Sequence, residues 1–138
     1  MTRTSVKIAT FRELEVYKAA REAAKEIVEV TKTFPTEEKY ALTTQMRNSS
    51  RSVCGGIGEA WRRRKYEAAF VSKLNESEGE AEETRVWLDV ALDCGYIDDK
   101  QHGVLDRRYD RILGQIVNME THPWQWVFPE KPGRRMKT

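Results

Sequence analysis

The sequence predicts an all-α protein, an antiparallel up-down-up-down four-helix bundle. Three observations carry this. Apolar residues recur at steps of three and four in four separate segments, the repeat of one helix face. Only four Pro and eight Gly interrupt 138 residues, and three of the Gly share one tract, so breakers are too few for many short strands. Hydrophobic residues make up 39% and charged residues 33%, a balance that suits helices burying one stripe each and wetting the rest. That length is enough for one core.

The first helix is expected from about Phe11 to Thr33. Thr10 and Glu13 form a capping box, and Leu14, Tyr17, Ala20, Ala24, Ile27, Thr31 and Phe34 line one face. Phe34-Pro35 ends it, because the residue before proline is pushed out of the α region. Thr36-Glu37-Glu38 restarts a helix with acids at its positive end. The second helix turns Leu42, Met46, Ser49, Val53, Ile57 and Ala60 inward, a face of small residues. Its tract Cys54-Gly55-Gly56-Ile57-Gly58 is a poor helix former, each Gly costing ~1 kcal/mol against Ala, so either close packing compensates or the helix bends there.

The third helix carries a strict heptad stripe of Phe70, Leu74, Ser77, Ala81, Thr84, Leu88 and Ala91, widened by Trp87 and Val90. Gly95 supplies a left-handed stop. No Gly or Pro separates helices two and three. Without a turn, Tyr40 to Cys94 would form one rod of about 80 Å, so a turn near Arg63 to Tyr66 is expected. Asp98 and Gln101 form a second capping box, followed by Leu105, Tyr109, Ile112, Ile116 and Met119 on the fourth helix, which His122-Pro123 ends. The organisation is therefore an N-terminal arm over 1–10, a bundle over 11–122 and an aromatic, then basic tail over 123–138. Trp124, Trp126 and Phe128 suit packing across the bundle end or onto another subunit, with an exposed partner site as the alternative.

Several function classes lose support. No apolar run approaches the roughly 20 residues of a membrane span, and Met1 to Thr10 lacks the apolar core of a signal peptide, so a cytoplasmic protein is expected. Cys54 and Cys94 read as free, buried thiols. His102 and His122 lack neighbours at metal-ligand spacing, and no cofactor motif is present. The Gly tract follows no strand and precedes no Lys-Ser/Thr, unlike a phosphate loop, and lacks the strands of a KH module. Helix packing by Gly55, Gly56 and Gly58 is the simpler role. Glu59 needs a partner on this face, and an ion pair accounts for it better than catalysis, since no nucleophile or metal set accompanies it. Glu76, Glu78, Glu80, Glu82 and Glu83 spread around their helix as a solvated or intersubunit face. No enzymatic activity is expected.

Charge is the remaining signal. Net charge is only +2, but Lys39 to Lys65 holds seven basic residues and one acid, whereas Tyr66 to Cys94 holds two basic residues and eight acids. Opposed blocks of this kind pair helices within or between subunits, or leave a basic face for an anion. Arg62-Arg63-Arg64-Lys65 puts four consecutive cations at a helix junction, with Trp61 and Tyr66 as candidate stacking partners. Arg47 and Arg51 extend the same basic segment. Nucleic-acid binding and a solvated or self-pairing turn both remain open at this point.

A set of stations adds a resemblance. They are Phe11-Arg12-Glu13-Leu14-Glu15-Val16-Tyr17, Phe34-Pro35 with Glu38 and Tyr40, and Leu42-Thr43-Thr44-Gln45-Met46-Arg47. Ser49-Ser50-Arg51-Ser52-Val53, Ile57, Glu59, Phe70, Glu80, Glu83-Thr84, Trp87-Leu88 and Cys94-Gly95-Tyr96-Ile97 complete them. From about Phe11 to Met119 the chain resembles the four-helix-bundle family encoded in intervening sequences of bacterial 23S rRNA genes. That family is related to the accessory variability determinant of diversity-generating retroelements. The chain departs from the pattern in the Gly tract: Gly55-Gly56 stand for the usual Ala-Asn, Gly58 for Ala and Ala60 for Gly. The resemblance implies a cyclic homo-oligomer, commonly a homopentamer, without known catalytic activity. It also implies that some relatives bind nucleic acid and assist a reverse transcriptase. The expectation is a homo-oligomeric accessory protein binding RNA or DNA, with a self-assembling scaffold as the rival.

Overall fold

The computed structural model describes residues 8–129. Four helices form: α1 (Glu15–Thr31), α2 (Leu42–Arg62), α3 (Glu67–Asp93) and α4 (Asp99–Thr121). Successive helices run antiparallel, and α4 closes the ring by packing on α1 while α1/α3 and α2/α4 lie diagonally. No strand occurs among the described residues, and no described helix is long and apolar enough to cross a membrane.

The sequence stripes of α2, α3 and α4 are buried faces, whereas on α1 Tyr17 is only half-buried and Val16 and Ala23, outside the expected stripe, are buried. On α3 the buried set is Phe70, Leu74, Ser77, Ala81, Thr84, Leu88 and Ala91, and on α4 it is Leu105, Tyr109, Ile112, Ile116 and Met119. Gly95 takes φ +76° after α3, and Asp98 with Gln101 caps α4 reciprocally. α2 ends at Arg62 and α3 starts at Glu67, so the turn falls where one long rod would have had to break.

Two helix starts differ from the sequence expectation. The Thr10–Glu13 capping box closes a short 3-10 turn, Phe11–Glu13, not α1 itself. Leu14 then leaves the helical region (φ −68°, ψ 131°), which drops its side chain fully into the core before α1 begins. Likewise Thr36–Glu38 forms only a 3-10 turn, and α2 starts at Leu42. Glu38 still acts at that helix end: its Oε1 accepts from the Leu42 N–H at 3.3 Å, and its Oε2 accepts from the Tyr96 hydroxyl at 2.8 Å. That bond to Glu38 pushes the Tyr96 phenol up to about 12.

α2 runs unbroken through the Gly tract, held by its seam with α3. The Ser49 and Thr84 hydroxyls pair at 2.7 Å in the interior, and Ser77 Oγ donates to the Val53 carbonyl at 3.3 Å. A Cβ on Gly56 would collide with the Ser77 hydroxyl and lie 3.2 Å from Ser77 Cβ. The tight contact is thus at Gly56. Gly55, expected to pack, points outward with nothing within 4 Å of where its Cβ would be, because it is one residue off the inward face. A Cβ on Gly58 would meet the Phe11 ring at 3.8 Å, an ordinary contact.

Charged groups clasp the outside. Arg85 on α3 holds Asp106 through two bonds of 2.8 and 3.2 Å and reaches Glu82 and Asp110. Arg108 reaches Glu26 at 3.0 Å, joining α4 to α1. Both cysteines are free. Burial pushes the half-buried Cys54 thiol up. Cys94 is exposed rather than buried, because it sits on the cap of α3 at the bundle end. At the opposite end Glu120, half-buried on the last turn of α4, is raised to about 7 by burial and then by its hydrogen bond and repulsion with Glu78.

Two outcomes follow from this packing. Gly55→Ala should raise stability by about 0.5–1 kcal/mol through helix propensity, whereas Gly56→Leu should cost about 1–3 kcal/mol or more by overpacking. Thermal melts measure both, and a Gly56→Leu protein as stable as the parent would refute the close seam. For Glu120, the folded carboxyl takes up a proton that the unfolded chain, at about 4.5, has already released. This stabilisation is complete below about 4.5 and is lost as pH rises through about 7. Glu120→Gln should therefore flatten the fall in Tm between about pH 5 and about pH 8 and raise Tm at the upper end. An unchanged profile would remove the pair as its cause.

Candidate nucleic-acid interface

The basic junction forms where three parts of the chain meet at one end of the bundle. α2 delivers Arg62, the turn delivers Arg63, Arg64 and Lys65, and Tyr66 precedes α3 in extended backbone. The 3-10 turn before α1 brings Phe11 and Arg12 alongside, and the chain after α4 brings Phe128. These groups surround a cleft of about 650 Å³.

The four cations are not equivalent. Arg64 is half-buried between two rings, its guanidinium 3.5 Å from the Trp61 centroid and 4.5 Å from that of Phe128. Its Nε donates to the Trp61 carbonyl at 2.7 Å, and its own carbonyl accepts from the Phe128 N–H at 3.1 Å. Burial, followed by repulsion from Arg62, lowers its pKa. Arg64 is thus a strut that fixes the chain after α4. Trp61 is buried and meets Trp126 edge-on at 6.3 Å, so Trp61 is closed to bases. Arg62, Arg63 and Lys65 are exposed at the cleft, and Tyr66 is 68% exposed.

The other sequence candidates fall elsewhere. Arg47 is tied to α1, its Nε donating to Thr31 Oγ1 at 2.9 Å and a terminal nitrogen to the Val28 carbonyl at 3.4 Å. Arg51 is exposed on α2, about three helical turns before the junction and outside the cleft. Glu59 lines the cleft but is matched by Lys73 at 2.9 Å, which holds its carboxyl below the ordinary range. Trp87 is half-buried on α3 and donates to Glu83 at 3.1 Å, away from the junction. Phe11 and Arg12 were not legible as cleft residues, since nothing local in the sequence signals a contact across some 50 residues. Trp126 packs on the bundle end, whereas Trp124 and Phe128 remain half-exposed. Arg134, Arg135 and Lys137 lie outside the described residues. Among the described residues no group of His, Cys, Asp and Glu is arranged to hold a metal.

Fold and junction together define a small four-helix bundle with one cationic, aromatic-lined end. The family model for the 23S rRNA-intervening sequence protein matches residues 12–118, and the chain belongs to that family. It is also similar to the crystal structure, at 1.70 Å, of a protein of unknown function from the S23 ribosomal protein family of Bacteroides thetaiotaomicron VPI-5482. That likeness has 27% identity and a TM-score of 0.69, covering 76% of this chain and 97% of that one. No curated protein matches significantly.

The Arg64 strut makes a direct test. Arg64→Ala should lower stability by about 0.5–2 kcal/mol and red-shift tryptophan emission as Trp61 and Trp126 meet water, while Arg62→Ala should change neither. Identical melts and spectra for the two variants would show that the stack does not hold the chain after α4.

Proposed function

We propose that this protein is a non-enzymatic, homo-oligomeric accessory protein that binds RNA or DNA through its basic junction. The observation that carries the reading is the exposure of Arg62, Arg63 and Lys65 side by side at one cleft, none of them held in a salt bridge among the described residues, although Arg63 acts on Glu59 through space. A single copy offers few phosphate contacts. Self-association multiplies them, and a long polyanion then touches several copies at once. Support for self-association comes from α3, where Val86 is 49% exposed and Trp87 and Val90 are half-buried, beside the acidic face of the same helix. A homopentamer, as the family resemblance implies, is the assembly proposed. Its place of work is the cytoplasm, without a cofactor, serving an RNA process or a reverse transcriptase. The second reading, a scaffold whose charge blocks serve only self-assembly, draws on the same α3 face.

A salt series separates the two. Light scattering should give a closed oligomer, and binding should weaken with salt at about 0.9 in log–log slope per duplex phosphate neutralised. Replacing Arg62, Arg63 and Lys65 with Gln should flatten that slope for all sequences alike while leaving Arg64, and hence the fold, intact. A parent protein that binds neither RNA nor DNA at low salt hands the case to the scaffold.

A further inference from the structure

The junction holds more than charge. Tyr66 is 68% exposed, and Phe128 is 50% exposed although Arg64 lies over its ring. Both rings stand in the wall of the same cleft as Arg12, Arg62, Arg63 and Lys65. Among the described residues the one carboxylate in that wall, Glu59, is paired with Lys73 at 2.9 Å and acts on Arg63 only through space. Beyond the Tyr66 hydroxyl, two exposed ring faces cost hydration and offer nothing to a phosphate. Their natural counterpart is another flat, apolar surface. A duplex presents sugar and phosphate to a cleft of this kind and keeps its base faces stacked inside. An unpaired strand presents both, bases for the rings and phosphates for the cations. The volume, about 650 Å³, falls within the usual range for a site that encloses a small ligand, and so has room for a nucleotide.

We propose that the cleft is a single-strand site, in which a base stacks on Tyr66 and the flanking phosphates lie on Arg12, Arg62, Arg63 and Lys65. This rests on the nucleic-acid reading above and makes it specific. Recognition by ring faces is tolerant of sequence, so the site prefers unpaired over paired nucleic acid without preferring one base order. Phe128 lines the same cleft and stays in place through its backbone bond to Arg64.

Fluorescence anisotropy at low salt with a labelled unstructured 20-mer of deoxythymidine, and with a blunt duplex of the same length, tests this. The parent should bind the single strand at least several-fold more tightly. Tyr66→Ala should lower single-strand affinity about ten-fold or more and leave duplex affinity within about two-fold, whereas Tyr66→Phe should resemble the parent. Circular dichroism and light scattering confirm that both variants fold and assemble normally. Equal or tighter duplex binding, or a Tyr66→Ala protein with unchanged single-strand affinity, overturns the single-strand site. If the Arg62, Arg63 and Lys65 replacements still weaken binding in that case, the broader nucleic-acid reading survives. Absence of binding to either probe removes both.

Discussion

Hydroxyls and a bare Cα meet across the seam of α2 and α3, amid the larger apolar side chains of the core. Gly56 admits Ser77, Ser77 bonds to the Val53 carbonyl, and Ser49 pairs with Thr84 at 2.7 Å. Each of these polar groups is buried and satisfied, so the seam costs no stranded donor. The pairing also fixes the helices along their length. A slip of either helix would set a hydroxyl against an aliphatic side chain and leave it without a partner. Because the seam holds α2 and α3 close and in step, a short turn suffices between them. That turn is exposed at Arg62, Arg63 and Lys65.

Charge is spent unevenly over the molecule. Lys73 and Arg85, the basic residues of the acidic third segment, are both engaged with carboxylates. Of the basic block before it, Arg47 and Arg64 are held inside the fold by a hydroxyl, carbonyls and rings. Net block charges therefore overstate the available cations: of the remaining five, Arg62, Arg63 and Lys65 gather at one bundle end, while Lys39 and Arg51 lie away from it.

Periodicity made the stripes of α3 and α4 legible residue by residue, because a heptad on one helix needs no knowledge of its neighbours. The junction turn was legible from a length constraint alone. What escaped were facts set between helices. Neighbouring glycines read alike in sequence, and only the register of α3 distinguishes Gly56 from Gly55. Leu14 takes extended backbone between the 3-10 turn and α1 and is buried in the core, a tertiary placement invisible to the Thr10–Glu13 capping signal. The division of labour among Arg62, Arg63, Arg64 and Lys65 depends on where Trp61 and Phe128 come to rest, so a run of four cations looked uniform.

The two ends of the bundle are chemically unlike. At one, Phe34 packs on Tyr96 with the rings tilted, and Glu38 bridges Tyr96 to the first amide of α2. At the other lies the open cationic cleft. The bundle is thus a vector, and rotational symmetry about an axis along the helices preserves direction. Copies arranged around such an axis would point all their clefts to one rim and all their Tyr96 ends to the other. A ring of this kind would have two faces of different character, one carrying the cationic clefts and the other the Phe34–Tyr96 ends.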